Sequence, residues 1–352
     1  MKQPISPPHH INFDDYIEET LSFLQAVRDK IGRKRLEGAT RPTWIKVKQG
    51  RIPRIHGFYD YSQISSISIS AALVVAACYD RAARISGKAP PAINYPQWPQ
   101  SVFRVLFDVG FFEFIGHIKS EDSDLCRHRG NDGSGKIMSA ISGKNANGLE
   151  ECSGEIFNLL KFLSFKDDAA EVILADVNSA ISEAMINVAR HAYPDDFVQE
   201  SEYDTVNQWW MTAQADRENR TLTIVVYDQG ATIPGTLPRR EWFKRAVEGA
   251  MRQVIPDFSY SSERRARDHE FINYSVKEGK TQTGDHQRGL GLPQMQSLID
   301  LCDDGSLTIV SRAGLYKYGK NTGVHKRALP TELEGTLIEW HLSLPEGASL
   351  DG

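Results

Sequence analysis

The chain has 352 residues, of which 40% are hydrophobic and 25% charged, and its formal net charge is −5. That size and balance predict a globular protein of two domains, and the slight acidity removes the general electrostatic case for nucleic-acid binding. The four scattered cysteines (Cys78, Cys126, Cys152, Cys302) form no Cys-x-x-Cys pair, which argues against a zinc site or a disulfide framework, and with no leader read at the start and no apolar run longer than Ala71 to Cys78, a cytoplasmic protein that does not engage the membrane is expected.

Ile17, Leu21, Leu24, Val27 and Ile31 recur at spacings of three and four, predicting an amphipathic helix over Asp14 to Arg35. Thr43 to Lys48 reads as a strand. Ser70 stands where it would cap a helix from Ala71 to about Ser86, ended by Gly87. Ala92 to Tyr95 reads as a short strand, and Pro99 opens a helix through Val109 that Gly110 closes. Alternating strands and helices predict a small α/β domain over residues 1–118. Between 119 and 151 the composition turns to Ser, Gly, Asp, Asn and Lys, the mark of a linker, with room for a last strand of the first domain.

The second domain, residues 152–346, opens with helices over Ile156 to Phe165 and Ala169 to His191. A hairpin follows, Gln208 to Ala215 and Thr221 to Tyr227 around the polar turn Asp216 to Arg220. The mostly apolar second arm predicts a central strand. A segment of about 234–288 then reads as two helices, Arg239 to Val254 and Ser261 to Lys277, rich in Arg239, Arg240, Lys244, Arg245, Arg264, Arg265 and Arg267. A solvated face is the plain reading of these basic residues; the functional one is a partner-binding lid. A helix from Pro293 to Cys302 and an apolar strand, opened by Gly335-Thr336 and running over Leu337 to Leu344, complete the chain. The tryptophans Trp209, Trp210 and Trp340 fall on strand patterns and read as core.

Three places carry chemistry. Glu183, Asn187, Arg190 and His191 stand at i, i+4, i+7 and i+8, one face of an α-helix. A carboxylate there can take a proton, an amide oxygen suits Mg²⁺, and the Arg and His can hold phosphate oxygens; a solvated face is the bland alternative. Asp228, delivered by the central strand and followed by Gly230, is an acceptor that suits an exocyclic amine, although Asp-x-Gly also occurs in ordinary turns. Arg288-Gly289-Leu290-Gly291-Leu292-Pro293 leads into a helix N-terminus and outlines a phosphate cradle, a weak signal by itself. The histidines show no metal-ligand spacing.

In this order, Glu183-x-x-x-Asn187, Asp228-x-Gly230, Gly289-x-Gly291 and Gly335-Thr336 resemble the motifs of the GHKL ATP-binding superfamily, which includes gyrase, MutL, histidine kinases and the heat-shock chaperone ATPases. The resemblance covers roughly Ile156 to Pro345 and implies a Bergerat-type α/β sandwich with a helical lid insertion, binding ATP with Mg²⁺. It implies Glu183 as catalytic base and Asn187 as metal ligand. It further implies nucleotide contacts from Arg190, His191, Asp228, Gly230, Ile233, Arg288, Gly289, Leu290, Gly291, Leu292 and Thr336. The string Ser182 to Tyr193 is very like the same segment of the anti-sigma-factor serine kinases, although Thr232 stands where a further glycine is common and the 234–288 segment is longer. Asp60 to Phe112 resembles a STAS domain, with Ser70 at the phosphoacceptor position, but Ser68 replaces the usual aspartate and Ala71 the usual glycine, so capping is the favoured role for Ser70. The resulting expectation is a regulatory or signalling protein that hydrolyses ATP or phosphorylates a protein serine and meets a protein partner through the STAS-like domain or the basic lid. The alternative is a nucleotide-gated interaction module that closes, or dimerises to a homodimer, with little turnover.

Overall fold

The computed structural model describes residues 7–31, 44–47, 50–53, 61–87, 95–114, 133–144, 148–193, 206–236, 265–278 and 291–345. It divides into two compact units, the first over residues 1–133 with 137–140 and 198–206, the second over 134–136, 141–197 and 207–352.

In the first unit, strand β1 (His10–Ile11) leads to helix α1 (Ile17–Ile31). The helix starts three residues later than its apolar spacing suggests. The Asn12 side-chain oxygen takes the backbone N–H groups of Asp14, Asp15 and Tyr16 at 3.0–3.2 Å and holds them in a turn. Ile17, Leu21, Leu24 and Val27 are buried as the periodicity predicts. Strands β2 (Trp44–Val47) and β3 (Gly50–Pro53) pair antiparallel, and β4 (Ser66–Ile67) pairs parallel with β1. Helix α2 (Ile69–Ser86) is buried from Ile69 through Ala82, the pattern of a helix enclosed on every side. Around it lie α1, α3 (Gln100–Asp108) and α4 (Phe111–Phe114), whose Phe103, Phe107, Phe111 and Phe112 pack with Trp98 and Tyr95 in an aromatic cluster.

Two expectations for this unit are corrected. The cap of α2 is Ser68, whose Oγ accepts the Ala71 N–H at 3.2 Å; Ser70 is a buried first-turn residue whose hydroxyl bonds the Ser68 hydroxyl at 2.9 Å. Tyr95 lies in a 3₁₀ turn with Pro96 and Gln97, not at the end of a strand; residues 92–94 lie outside the described residues, and the described elements of this unit combine helices with two small sheets. Replacing Ser68 by Ala is expected to lower stability by about 1 kcal/mol, the usual worth of an N-cap. Thermal unfolding of the variant checks this, and an unchanged melting point would count against the cap.

The second unit is an antiparallel sheet covered by helices. Helix α5 (Leu149–Phe162) precedes α6 (Asp167–Asn187), which continues without a break into a π turn, Val188–Ala192. Counting β5 (Gly135–Gly143), whose middle residues belong to the first unit, the strand order is β5-β6-β7-β9-β8, with β6 (Trp209–Asp216), β7 (Thr221–Asp228), β8 (Asp304–Gly319) and β9 (Gly323–Ser343). The pairings β6–β7, β7–β9 and β9–β8 are antiparallel, so β7 is central as its apolar run predicts. Among the described residues, three shorter helices follow the hairpin, α7 (Ile233–Thr236), α8 (Asp268–Glu278) and α9 (Gly291–Leu301). The Trp340 indole N–H donates to the Met295 carbonyl at 3.0 Å, and this bond marks the helix-covered face of the sheet. On the other face Thr223 and His341 form an exposed cross-strand pair at 2.9 Å.

Gly335-Thr336 does not open a strand. It lies inside β9, which runs 21 residues because β8 and β9 form one long hairpin extending past the end of β7. The extension begins at a bulge around Arg312, a non-glycine residue with φ of 53°. Arg312 is held by Asp268: its Nε donates to one carboxylate oxygen at 2.7 Å, its Nη2 to the other, and the Ala313 N–H adds a bond at 3.0 Å. Asp268 begins α8, whose Phe271, Ile272 and Val276 are buried. Within the 234–288 segment, helix α8 is fastened to the hairpin by a buried ion pair and an apolar face. Arg265 is ion-paired with Glu332 at 2.7 Å, and the helix expected over Arg239 to Val254 lies outside the described residues.

Candidate functional site

Side chains alternate along a strand, so residues in register on adjacent strands share a face. Asp228 of β7 pairs with Thr336 of β9, and Thr336 pairs with Ser311 of β8. Each is an even number of residues from a member of the Ile224–Trp340–Leu307 row, so all three fall on the helix-covered face. Asp228, Thr336 and Ser311 form the last row before β7 ends and the hairpin bends away. Gly335 permits this ending. Its φ is +82°, and a Cβ there would meet the Asp228 carbonyl oxygen at 1.8 Å.

Asp228 is 5% exposed, and its Oδ1 accepts the Gly230 N–H at 2.8 Å. Its other carboxyl oxygen has no hydrogen-bond partner among the described residues. Burial pushes this carboxyl up to about 7, against the opposing pull of the Gly230 N–H. Thr336 is 6% exposed, and its hydroxyl meets Ser311 Oγ at 2.9 Å. Ser311 Oγ also accepts the N–H of Ile233, the first residue of α7, at 3.0 Å.

The loop after Asp228 is seated on the end of α6. The Ala231 N–H donates to the Ala192 carbonyl at 2.6 Å, and a Cβ on Gly230 would come within 2.3 Å of that same oxygen. Only glycine allows the approach. Tyr193 adds a second tie, its hydroxyl donating to the Gln208 carbonyl at 2.7 Å while accepting the Gln229 N–H at 3.2 Å. The π turn is thus clamped to the loop that carries Asp228, consistent with the tendency of such turns to mark functional positions.

Glu183 and Asn187 are half-buried on the last turns of α6, between the buried Ala184, Met185 and Val188. Arg190 and His191 fall in the π turn, so the α-helical reckoning that put all four residues on one face fails after Asn187; the side chains of these two lie outside the described residues. So do Arg288, Gly289 and Leu290. Helix α9 begins at Gly291-Leu292 instead of Pro293, and it is fastened to α6 by Gln294, which bonds the Ser179 hydroxyl. Ser311 and the Asp268–Arg312 pair carry no signal in a single sequence, since each acts through strand register or a contact distant along the chain, and Tyr193 is marked only as the last residue of the Ser182–Tyr193 string.

No group of three His, Cys, Asp or Glu side chains among the described residues is placed to hold a metal ion. A metal carried on phosphate needs fewer protein ligands, and the Asn187 amide oxygen has the hard-donor chemistry for one. No described helix is long and apolar enough to cross a membrane.

Residues 163–310 match the family model of the histidine kinase-like ATPase domain. The match, together with the mixed α/β architecture and antiparallel sheet, supports a GHKL-type ATPase domain over these residues, and ATP binding is what such a domain implies. Among curated proteins, none matches this chain.

Proposed function

We propose that the chain is a regulatory protein whose second unit binds Mg·ATP and transfers the γ-phosphoryl group to water or to the hydroxyl of a protein serine. The observation that carries the reading is the buried Asp228 carboxyl, which bonds the Gly230 N–H through one oxygen, beside the Thr336 hydroxyl at the end of the central strands. An acceptor beside a hydroxyl suits the amine edge of adenine, and the histidine kinase-like family match supplies the nucleotide.

In this reading Asn187 holds the magnesium ion, which would neutralise phosphate charge when bound. Glu183, one turn earlier, takes the proton of the attacking hydroxyl as the oxygen bonds phosphorus and ADP departs. Arg190, His191 and the glycine segment Gly289-Leu290-Gly291 are proposed as phosphate contacts, with Arg288 and Leu292 flanking them. The first unit is proposed as the partner-binding module on its likeness to STAS domains.

Incubation with γ-labelled ATP and Mg²⁺, alone and with candidate serine-containing partners, is the direct test. Labelled phosphate or labelled protein supports the reading; ATP left intact under every condition removes the proposed chemistry. Glu183→Gln is expected to retain ATP and lose turnover about 10²–10⁴-fold, the usual worth of a general base. Asn187→Ala is expected to weaken Mg·ATP binding itself, by tenfold or more. Calorimetric titration separates the two, and wild-type binding by the Asn187 variant would remove the metal assignment.

A further inference from the structure

We propose that Ser311 sets the hydrogen-bonding direction of Thr336, and that this makes the site read adenine in preference to guanine. The proposal rests on the assignment of the Asp228–Thr336 row to the nucleotide base, and it identifies a specificity-determining residue that touches no ligand itself. Ser311 is fully buried on β8. Its Oγ accepts the Ile233 N–H at 3.0 Å, leaving one proton to donate. Two acceptors compete for that proton, Thr336 Oγ1 at 2.9 Å and the Gly335 carbonyl at 3.5 Å. Hydroxyl hydrogen bonds fall at 2.5–3.0 Å in general, so the proton goes to Thr336.

Among the described residues the Thr336 hydroxyl has Ser311 as its hydrogen-bond partner. Having accepted from Ser311, Thr336 keeps its own proton to donate into the site. The row then presents an acceptor, the ionised Asp228, beside a donor, Thr336. Adenine shows the complementary pair, an amine that donates beside a ring nitrogen that accepts. Guanine shows the reverse, a carbonyl that accepts beside an N–H that donates, and meets two mismatches. A site whose polar groups are fixed in one direction rejects the mismatched ligand far more strongly than an apolar pocket does. Without the Ser311 hydroxyl the Thr336 proton is free to turn, and a hydroxyl that can either donate or accept no longer tells the two bases apart.

The test is the ratio of ATP to GTP affinity in the wild type, Ser311→Ala, Thr336→Val and the double variant. The wild type is expected to prefer ATP, and Ser311→Ala to lose about tenfold of that ratio, the worth of one hydrogen bond of about 1.4 kcal/mol. In the Thr336→Val background the Ser311 substitution should change the ratio no further, because its effect passes through Thr336. A purely structural role would lower affinity for both nucleotides and leave the ratio alone, and either that result or additive effects in the double variant would overturn the proposal. A mutation-free arm covers a variant that does not fold: wild-type protein should bind 1-deaza-ATP, which lacks the ring acceptor, about tenfold more weakly than ATP. Equal binding of those two overturns the proposal while leaving the ATP site standing. Failure of the wild type to bind any of these nucleotides removes the site reading and the proposal with it.

Discussion

Asp228→Asn should cost roughly ten- to a hundredfold in ATP affinity, the 1.5–3 kcal/mol of a hydrogen bond to a charged group, and it should also change how binding depends on pH. Burial pushes the Asp228 carboxyl of the protein alone up to about 7. A donor amine placed against it favours the ionised form, so nucleotide binding below about pH 7 releases a proton. Affinity should rise as pH is raised towards 7 and level off above it. Stability of the nucleotide-free protein should run the other way. A carboxyl whose folded pKa lies above its unfolded value stabilises the fold at low pH, and that contribution disappears as pH rises through about 7. Calorimetry in buffers of different ionisation enthalpy reads the released proton. Because the phosphates of ATP also titrate, the quantity that matters is the difference between wild type and the Asn variant. No difference would show that Asp228 does not meet the base.

Asp268→Ala is expected to destabilise the second unit by about 3–5 kcal/mol, the cost of leaving a buried charge without its partner. The Asp268 side chain is 0% exposed and receives two bonds from the Arg312 guanidinium and one from the Ala313 N–H. Its removal strands the guanidinium at a bulge whose positive φ a non-glycine residue adopts only when its surroundings hold it there. That cost is a large fraction of the stability of an ordinary domain. Asp268→Asn keeps acceptor geometry without the charge and should lose less. Urea unfolding followed by tryptophan fluorescence, with Trp340 and Trp209 in this unit's core, would measure both. A loss under about 1 kcal/mol in the Ala variant would mean the pair does not anchor α8.

The two predictions probe opposite sides of one bend. Asp228 and Thr336 lie on the last row of three paired strands, and Arg312 is the first residue beyond it, next to Ser311. The bulge at Arg312 ends regular pairing where β7 stops, and the ion pair it carries fastens α8 to the ribbon that continues. The candidate nucleotide row and the anchoring of the helix are thus set by adjacent residues of β8.

Local pattern was enough for much of this protein. Apolar spacing revealed α1, because one face of that helix is buried and burial imposes its period on the sequence, and a serine before α2 and Gly87 after it bracketed the second helix. The mostly apolar Thr221–Tyr227 run marked the central strand, which is buried continuously from Ile224 to Asp228. Type and spacing nominated Glu183, Asn187, Asp228 and Gly230, and the structure sets the first two on the last turns of α6 and the other two at and just after the end of β7. Tertiary structure alone decided the rest. Whether Ser68 or Ser70 caps α2 turned on where the chain entered the helix, and both residues satisfy the same local preference. The switch from α to π at Val188 has no compositional mark; its carbonyl at Ala192 meets the loop after Asp228, 39 positions from Ala192 to Ala231 along the chain. The row Asp228–Thr336–Ser311 and the Asp268–Arg312 pair depend on strand register and on a helix returning to a hairpin. Such partners are chosen by the whole fold, because hydrogen bonds and ion pairs between residues far apart in the chain leave no periodicity for a single sequence to display.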